Sequence, residues 1–245
     1  MNNEKKILTI ADVEILASEA GLTGNPTKRC VDGRYEFDPG MPECSIPGAD
    51  AGNILTAWGA LLAMDIEPTE EVAKKINEAV IEEAGGIENV HFHTDEHNQG
   101  VVAGGCGHVA NALKDPQAYG INERIASFIM LQLAELKSAG ASEEVLKGGH
   151  KEGAVVVVRG EHGIAPNNSN GTQAFVYQEN MATTSRTKLA SILASKLELD
   201  PDTLATQMDK VATLELNETL KRLASGLPTF VVEEGTHGKT VTQIQ

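Results

Sequence analysis

Aromatic side chains are scarce in this chain of 245 residues, at 4% of the total, so its core must rest on Ala, Val, Leu and Ile. Basic residues are also in short supply. Twenty Lys and Arg face 35 Asp and Glu, for a formal net charge of -15. That balance repels polyanions, which argues against nucleic acid and anionic membrane surfaces as partners. No apolar run approaches the roughly 18 residues needed to span a bilayer. The start, MNNEKKILTIADVEILASEA, has neither a long apolar segment nor a clear cleavage site. The expected location is therefore the cytoplasm. Cysteine is limited to Cys30, Cys44 and Cys106. Three widely spaced thiols cannot all pair, and in a reducing compartment they stay free, bind metal or act in catalysis. With 41% hydrophobic and 22% charged residues, the composition is that of a globular protein with a substantial core.

The local pattern alternates helices and strands. ADVEILASEA (11–20) has helical spacing before Gly21, and DPGMPECSIPGADAGN (38–53) is loop-like. The apolar run 54–64 suggests a buried helix. Thr69 is placed to cap a helix with acids in its first turn, Val72, Ile76, Ala79 and Val80 on one face, and Gly85 and Gly86 at its end. NVHFH (89–93) alternates, and GCGHVANAL (105–113) reads as a turn into a short helix. A long helix follows over about 122–138. GAVVVVRG (153–160) is the clearest strand, and its β-branched run predicts burial on both faces. AFVYQ (174–178) and PTFVVE (228–233) are further strands, with helices over 185–197 and 201–224 between them. This order predicts an α/β fold, a central sheet with helices on both faces. Residues 1–27 read as a helical extension, 28–235 as the catalytic domain and 236–245 as a loose tail.

Chemistry concentrates in KRCVDGRYEF (28–37). In an extended chain Cys30, Asp32 and Arg34 share a face. A buried thiol beside an ion pair would account for that triplet alone. Further on come His91, His93 and His97, then Cys106 with His108. Two thiolates and an imidazole are zinc donors, and three protein ligands leave the fourth position open, as catalysis requires. Cys106, opening a helix after Gly104 and Gly105, also suits a reactive nucleophile with His108 or His97 as base. Asp32 could accept a hydrogen bond from bound water, with Arg34 orienting it through a bidentate contact. His162 and His237 read as surface residues.

Cys30-Val31-Asp32-Gly33-Arg34 resembles the Cys-x-Asp-x-Arg motif of carbonic anhydrases. The β class shares this logic but has His-x-x-Cys, and no histidine sits three residues before Cys106. The chain is more similar to the zeta, or cadmium-type, class. The matching segments are CVDGR (30–34), IPGADAG (46–52), HTDEH (93–97), GCG (105–107), GGHKEGAVVVV (148–158) and APN (165–167). The resemblance covers about residues 28–233. The loop from His93 to Cys106 is longer than the family's, Cys44 has no counterpart, and Asp50 stands where a smaller residue is expected.

The resemblance implies a β-carbonic-anhydrase-like catalytic domain that hydrates CO2 reversibly to bicarbonate and a proton. It assigns Cys30, His93 and Cys106 to Zn2+, with Cd2+ an acceptable substitute, and keeps His91 and His97 as alternative ligands. The metal supplies hydroxide near neutral pH, and two thiolates make that water less acidic, so activity should rise with pH through the alkaline range. Asp32 accepts the hydroxyl's hydrogen bond and Arg34 holds Asp32. His97, His108 and His150 are proton-shuttle candidates, and segment 54–64 is either plain core or a wall of the CO2 pocket. The alternatives are hydrolysis of COS or CS2 at the same site, a non-catalytic metal-binding homologue, and a thiol enzyme using Cys106. A homo-oligomer is compatible with the same reading.

Overall fold

The computed structural model describes residues 8–19, 27–32, 34, 43–96, 105–147, 152–160, 164–166, 173–235 and 238–245. His97, His150, His162, His237 and Gly33 lie outside them.

The helical core begins with α2 (Asp50–Ala63), whose Ile54, Leu55, Trp58 and Leu61 are all buried. They pack with residues of the later helices as ordinary core, the plain reading of segment 54–64. In α3 (Glu70–Ala84) the Thr69 side chain accepts the Val72 N–H at 3.2 Å, and Gly85 closes the helix in the left-handed conformation. Val72, Ile76, Ala79 and Val80 form its buried face. The α4 helix (Gly107–Lys114) is short. In α5 (Glu123–Ala139), Asn122 caps the start, accepting the Ile125 N–H at 3.0 Å. Inside this layer the Trp58 indole donates to Gln132 Oε1 at 2.6 Å, and Gln132 Nε2 donates to the Ala73 carbonyl at 2.8 Å. Each buried polar atom in that chain thus replaces the water it lost.

Two long helices complete the layer, α6 (Glu179–Leu197) and α7 (Pro201–Leu223). The start of α6 precedes the expected residue 185 because Ala182 is buried among Tyr177, Phe175 and Ala224, and packing outweighs the modest helix propensity of its threonines.

The fold is mixed α/β, but among the described residues the strands bond as four small sheets rather than one central sheet. The largest holds β6 (Glu152–Arg159) between β8 (Gln173–Gln178) and β9 (Thr229–Gly235), both parallel to it, with β10 (Gly238–Gln243) antiparallel on β9. The segment expected to trail as a tail therefore adds an edge strand. On β6, Val156 and Val158 face Leu8 and, on α1 (Ile10–Leu16), Val13, while Val155 faces the cluster containing Cys30. That two-sided burial is what the valine run predicts. The expected helix over 11–20 stops at Leu16, and β1 (Ala17–Glu19) pairs with β7 (Ile164–Pro166) instead. Strand pairing there overrides local helical spacing.

The remaining pairs are parallel: β2 (Thr27–Arg29) with β3 (Glu43–Ser45), and β4 (His91–Asp95) with β5 (Ser142–Leu146). β2 and β3 are three residues long, and just past β2 the Val31 carbonyl accepts the Val176 N–H of the large sheet at 3.1 Å. So short a pair carries too few ladder bonds to merge into the larger sheet. β5, sequence SEEVL, lacks the apolar run of a buried strand and was not expected.

Candidate metal centre

Three elements bring the predicted donors together. Cys30 follows directly on β2, His93 is the middle residue of β4, and Cys106 is the N-cap of α4. All three are buried. Cys106 and His93 both stand close enough to the Cys30 thiol to act on its ionisation. His91 points elsewhere, with its Nδ1 3.2 Å from Arg29 Nη1. Among the described histidines, His93 is thus the one that meets Cys30.

Backbone donors support negative charge on both sulfurs. Gly48 N–H donates to Cys30 Sγ at 3.1 Å, and Val109 N–H donates to Cys106 Sγ at 3.4 Å from the first turn of α4. Burial opposes ionisation of Cys30, but the hydrogen bond from Cys106 and the charge and hydrogen bond of His93 hold it well below the usual thiol range. Burial and the neighbouring Cys30 push Cys106 well above that range. His93 is raised: burial opposes its protonation, and the Cys30 thiolate outweighs burial. The two sulfurs therefore share one negative charge, carried by Cys30. A buried Cys106 with a raised pKa is the reverse of an activated nucleophile.

The loop that delivers Gly48 is tightly specified. Gly48 has φ +83° and Ala49 φ +53°, an uncommon conformation for a residue with a Cβ. A Cβ on Gly52 would lie 1.8 Å from the Pro47 carbonyl oxygen. Position 52 therefore admits only glycine while Pro47 stays in place.

Beside the thiols, Arg34 grips Asp32. Its Nε lies 3.1 and 3.2 Å from the two carboxylate oxygens, its Nη2 is 2.5 Å from Oδ2, and its own N–H donates to Oδ1 at 3.0 Å. Nη2 also donates to Asp95. Burial would lower the Arg34 pKa, and the two carboxylates raise it instead. Asp95 was not anticipated as a partner. Its signal was its place two residues after His93 on the same strand face, within HTDEH.

Several other expectations are corrected. Asp50, which stands where the resemblance expects a smaller residue, has a structural role. It is fully buried, pairs with Lys28 Nζ at 2.7 Å and accepts the His91 N–H at 2.8 Å, tying β2 to β4. His108 hydrogen-bonds Thr219 and is fully buried, which with His93 nearby lowers its pKa to about 3. It is a neutral structural histidine, unable to carry protons to solvent near neutral pH. Cys44 is a core thiol that burial pushes up to about 12.

A sulfur–sulfur–imidazole set with backbone support fits a borderline-soft cation chemically. Among the described residues, no group of three His, Cys, Asp or Glu side chains stands in a finished metal-holding geometry. Nor is any helix among them long and apolar enough to cross a membrane. Comparisons of the chain with known protein families, curated proteins and solved structures find no match.

Proposed function

We propose that this chain is a metal-dependent carbonic anhydrase, using Cys30, His93 and Cys106 to hold Zn2+ or Cd2+ and catalysing the reversible conversion of CO2 and water to bicarbonate and a proton. The observation that carries the reading is the convergence of buried Cys30, His93 and Cys106, near enough to shift one another's ionisation, beside an aspartate clamped by Arg34. The finer fold reading, a β-carbonic-anhydrase-like domain, belongs to the same proposal and draws support from the parallel pairs that carry Cys30 and His93. A cytoplasmic location and homo-oligomerisation belong to the same proposal.

Cys30, His93 and Cys106 would hold the metal ion, which would lower the pKa of water and so supply hydroxide. The chain's own groups set the geometry. Asp32 accepts the hydrogen bond of the attacking hydroxyl, leaving the oxygen lone pair free for the carbon of CO2. Arg34 fixes the plane of Asp32 through the two-point contact. Asp95 anchors the far side of the guanidinium. A protein that only stored metal would need no such oriented carboxylate, which favours catalysis over a non-catalytic binding role.

The test is stopped-flow CO2 hydration on protein loaded with zinc and, separately, with cadmium. Fast hydration that disappears in Cys30→Ala and collapses in Asp32→Ala supports the assignment. Fully metallated wild type without hydration rejects it, and turnover of COS or CS2 by that same protein would move the site to the hydrolase alternative.

A further inference from the structure

A cavity of about 760 Å3 opens between α3, α6 and the strands β2 and β4. Its floor is buried and includes Lys28, Glu83, His91 and Ser185. Its rim is formed by Asn180, Thr184 and Lys188, spaced four apart and hence on one stripe of α6. This volume lies within the range of small-molecule sites.

The acceptors on the floor are already engaged. One oxygen of Glu83 takes the Lys28 ammonium, and the other accepts from Ser185 Oγ at 3.1 Å. Beneath them, Asp50 is held by Lys28 and by the His91 N–H. The remaining carboxylate, Glu88, stands exposed at the rim, folded against Gly86. The space is thus faced chiefly by donors. Arg29 brings a guanidinium. Lys188 donates to the Glu83 carbonyl at 2.7 Å and has two more N–H bonds to offer. Among the described residues that line the cavity there is no Phe, Tyr or Trp, and the His91 imidazole lies against Arg29. Hydroxyl and amide groups dominate the rim, which suits a hydroxylated body.

We propose that this cavity binds a small hydroxylated organic anion, its charged head between Arg29 and Lys188 and its hydroxyls on Asn180 and Thr184. Phosphate and carboxylate heads share the required chemistry. Arg29 directly precedes Cys30 and contacts His91, two residues before His93. The occupant therefore touches both strands that carry candidate metal donors. The proposal itself does not depend on what the metal centre does.

The experiment is calorimetric titration of the full chain as purified, at constant ionic strength. Glycerol 3-phosphate and malate are the probes, and glycerol is the uncharged control. The expected result is saturable one-to-one binding of at least one anion and none of glycerol. Lys188→Gln and Arg29→Gln should each weaken it by about tenfold, the usual scale for losing one charge-assisted contact. Lys188 is exposed, so its variant keeps the fold even where Arg29→Gln does not. Binding of the phosphate alone, or of the carboxylate alone, identifies the head group. No saturable binding of either anion to wild type, equal binding of glycerol, or anion binding unchanged by Lys188→Gln would overturn the proposal.

Discussion

Arg34 holds Asp32 through three side-chain contacts of 2.5 to 3.2 Å and reaches across with the same Nη2 to Asp95. A lysine has one point charge and cannot reproduce the planar two-point grip. Arg34→Lys should therefore lower the kcat of CO2 hydration by about tenfold or more while leaving zinc content unchanged. Stopped-flow rates and metal analysis on the same preparation read the two effects separately.

The hub position of Cys30 makes it the costliest donor to lose. Cys30→Ser should weaken zinc binding by about a hundredfold or more, since an alcohol does not ionise to replace the thiolate. Equilibrium dialysis against a competing chelator measures the change. Cys44→Ser, at a buried thiol outside the site, should leave zinc affinity unaltered and lower only the melting temperature.

Glu215 on α7 is fully buried, accepts the Thr56 hydroxyl at 2.6 Å, and is pushed by burial from 4.5 up to about 8. Its folded pKa lies above its unfolded one, so the native state holds the extra proton. The stability from Glu215 is complete below about pH 4.5, declines as pH rises, and is gone above about 8. Glu215→Gln keeps the acceptor and removes the titration. Its melting temperature should fall less than that of wild type between about pH 5 and about pH 8.5. Parallel slopes for the two proteins would refute this.

Thr69→Ala removes the cap that satisfies the Val72 N–H. The expected loss is about 1 kcal/mol of unfolding free energy, with metal binding intact. Urea denaturation of the two proteins gives the difference directly.

Elements with a strong local signature were legible from residues alone. Thr69, Gly85 and the periodic faces mark α3, and the valine run of β6 announces a strand flanked on both sides. The ends were less legible. Residues 17–19 become a strand and 238–243 an edge strand because distant partners offer ladder bonds, which local spacing does not encode. At the site, Cys30, Asp32 and Arg34 were visible as an alternating triplet, and His93 and Cys106 through the motif. Lys28, Asp50 and Glu83 were not, because a buried ion cluster assembled from three separate elements leaves no spacing to read. Arg34 and Asp95 were both in view, but the bond between them across 61 residues was not.

Gly52 touches neither sulfur nor carboxylate, yet it fixes how far the Pro47 carbonyl can sit from α2. A methyl group there would push the 46–48 turn outward and withdraw the Gly48 N–H from Cys30. In a saturation scan, position 52 should look as intolerant as a donor residue. A survey that ranks sites by sensitivity alone would then score as chemistry what is only clearance.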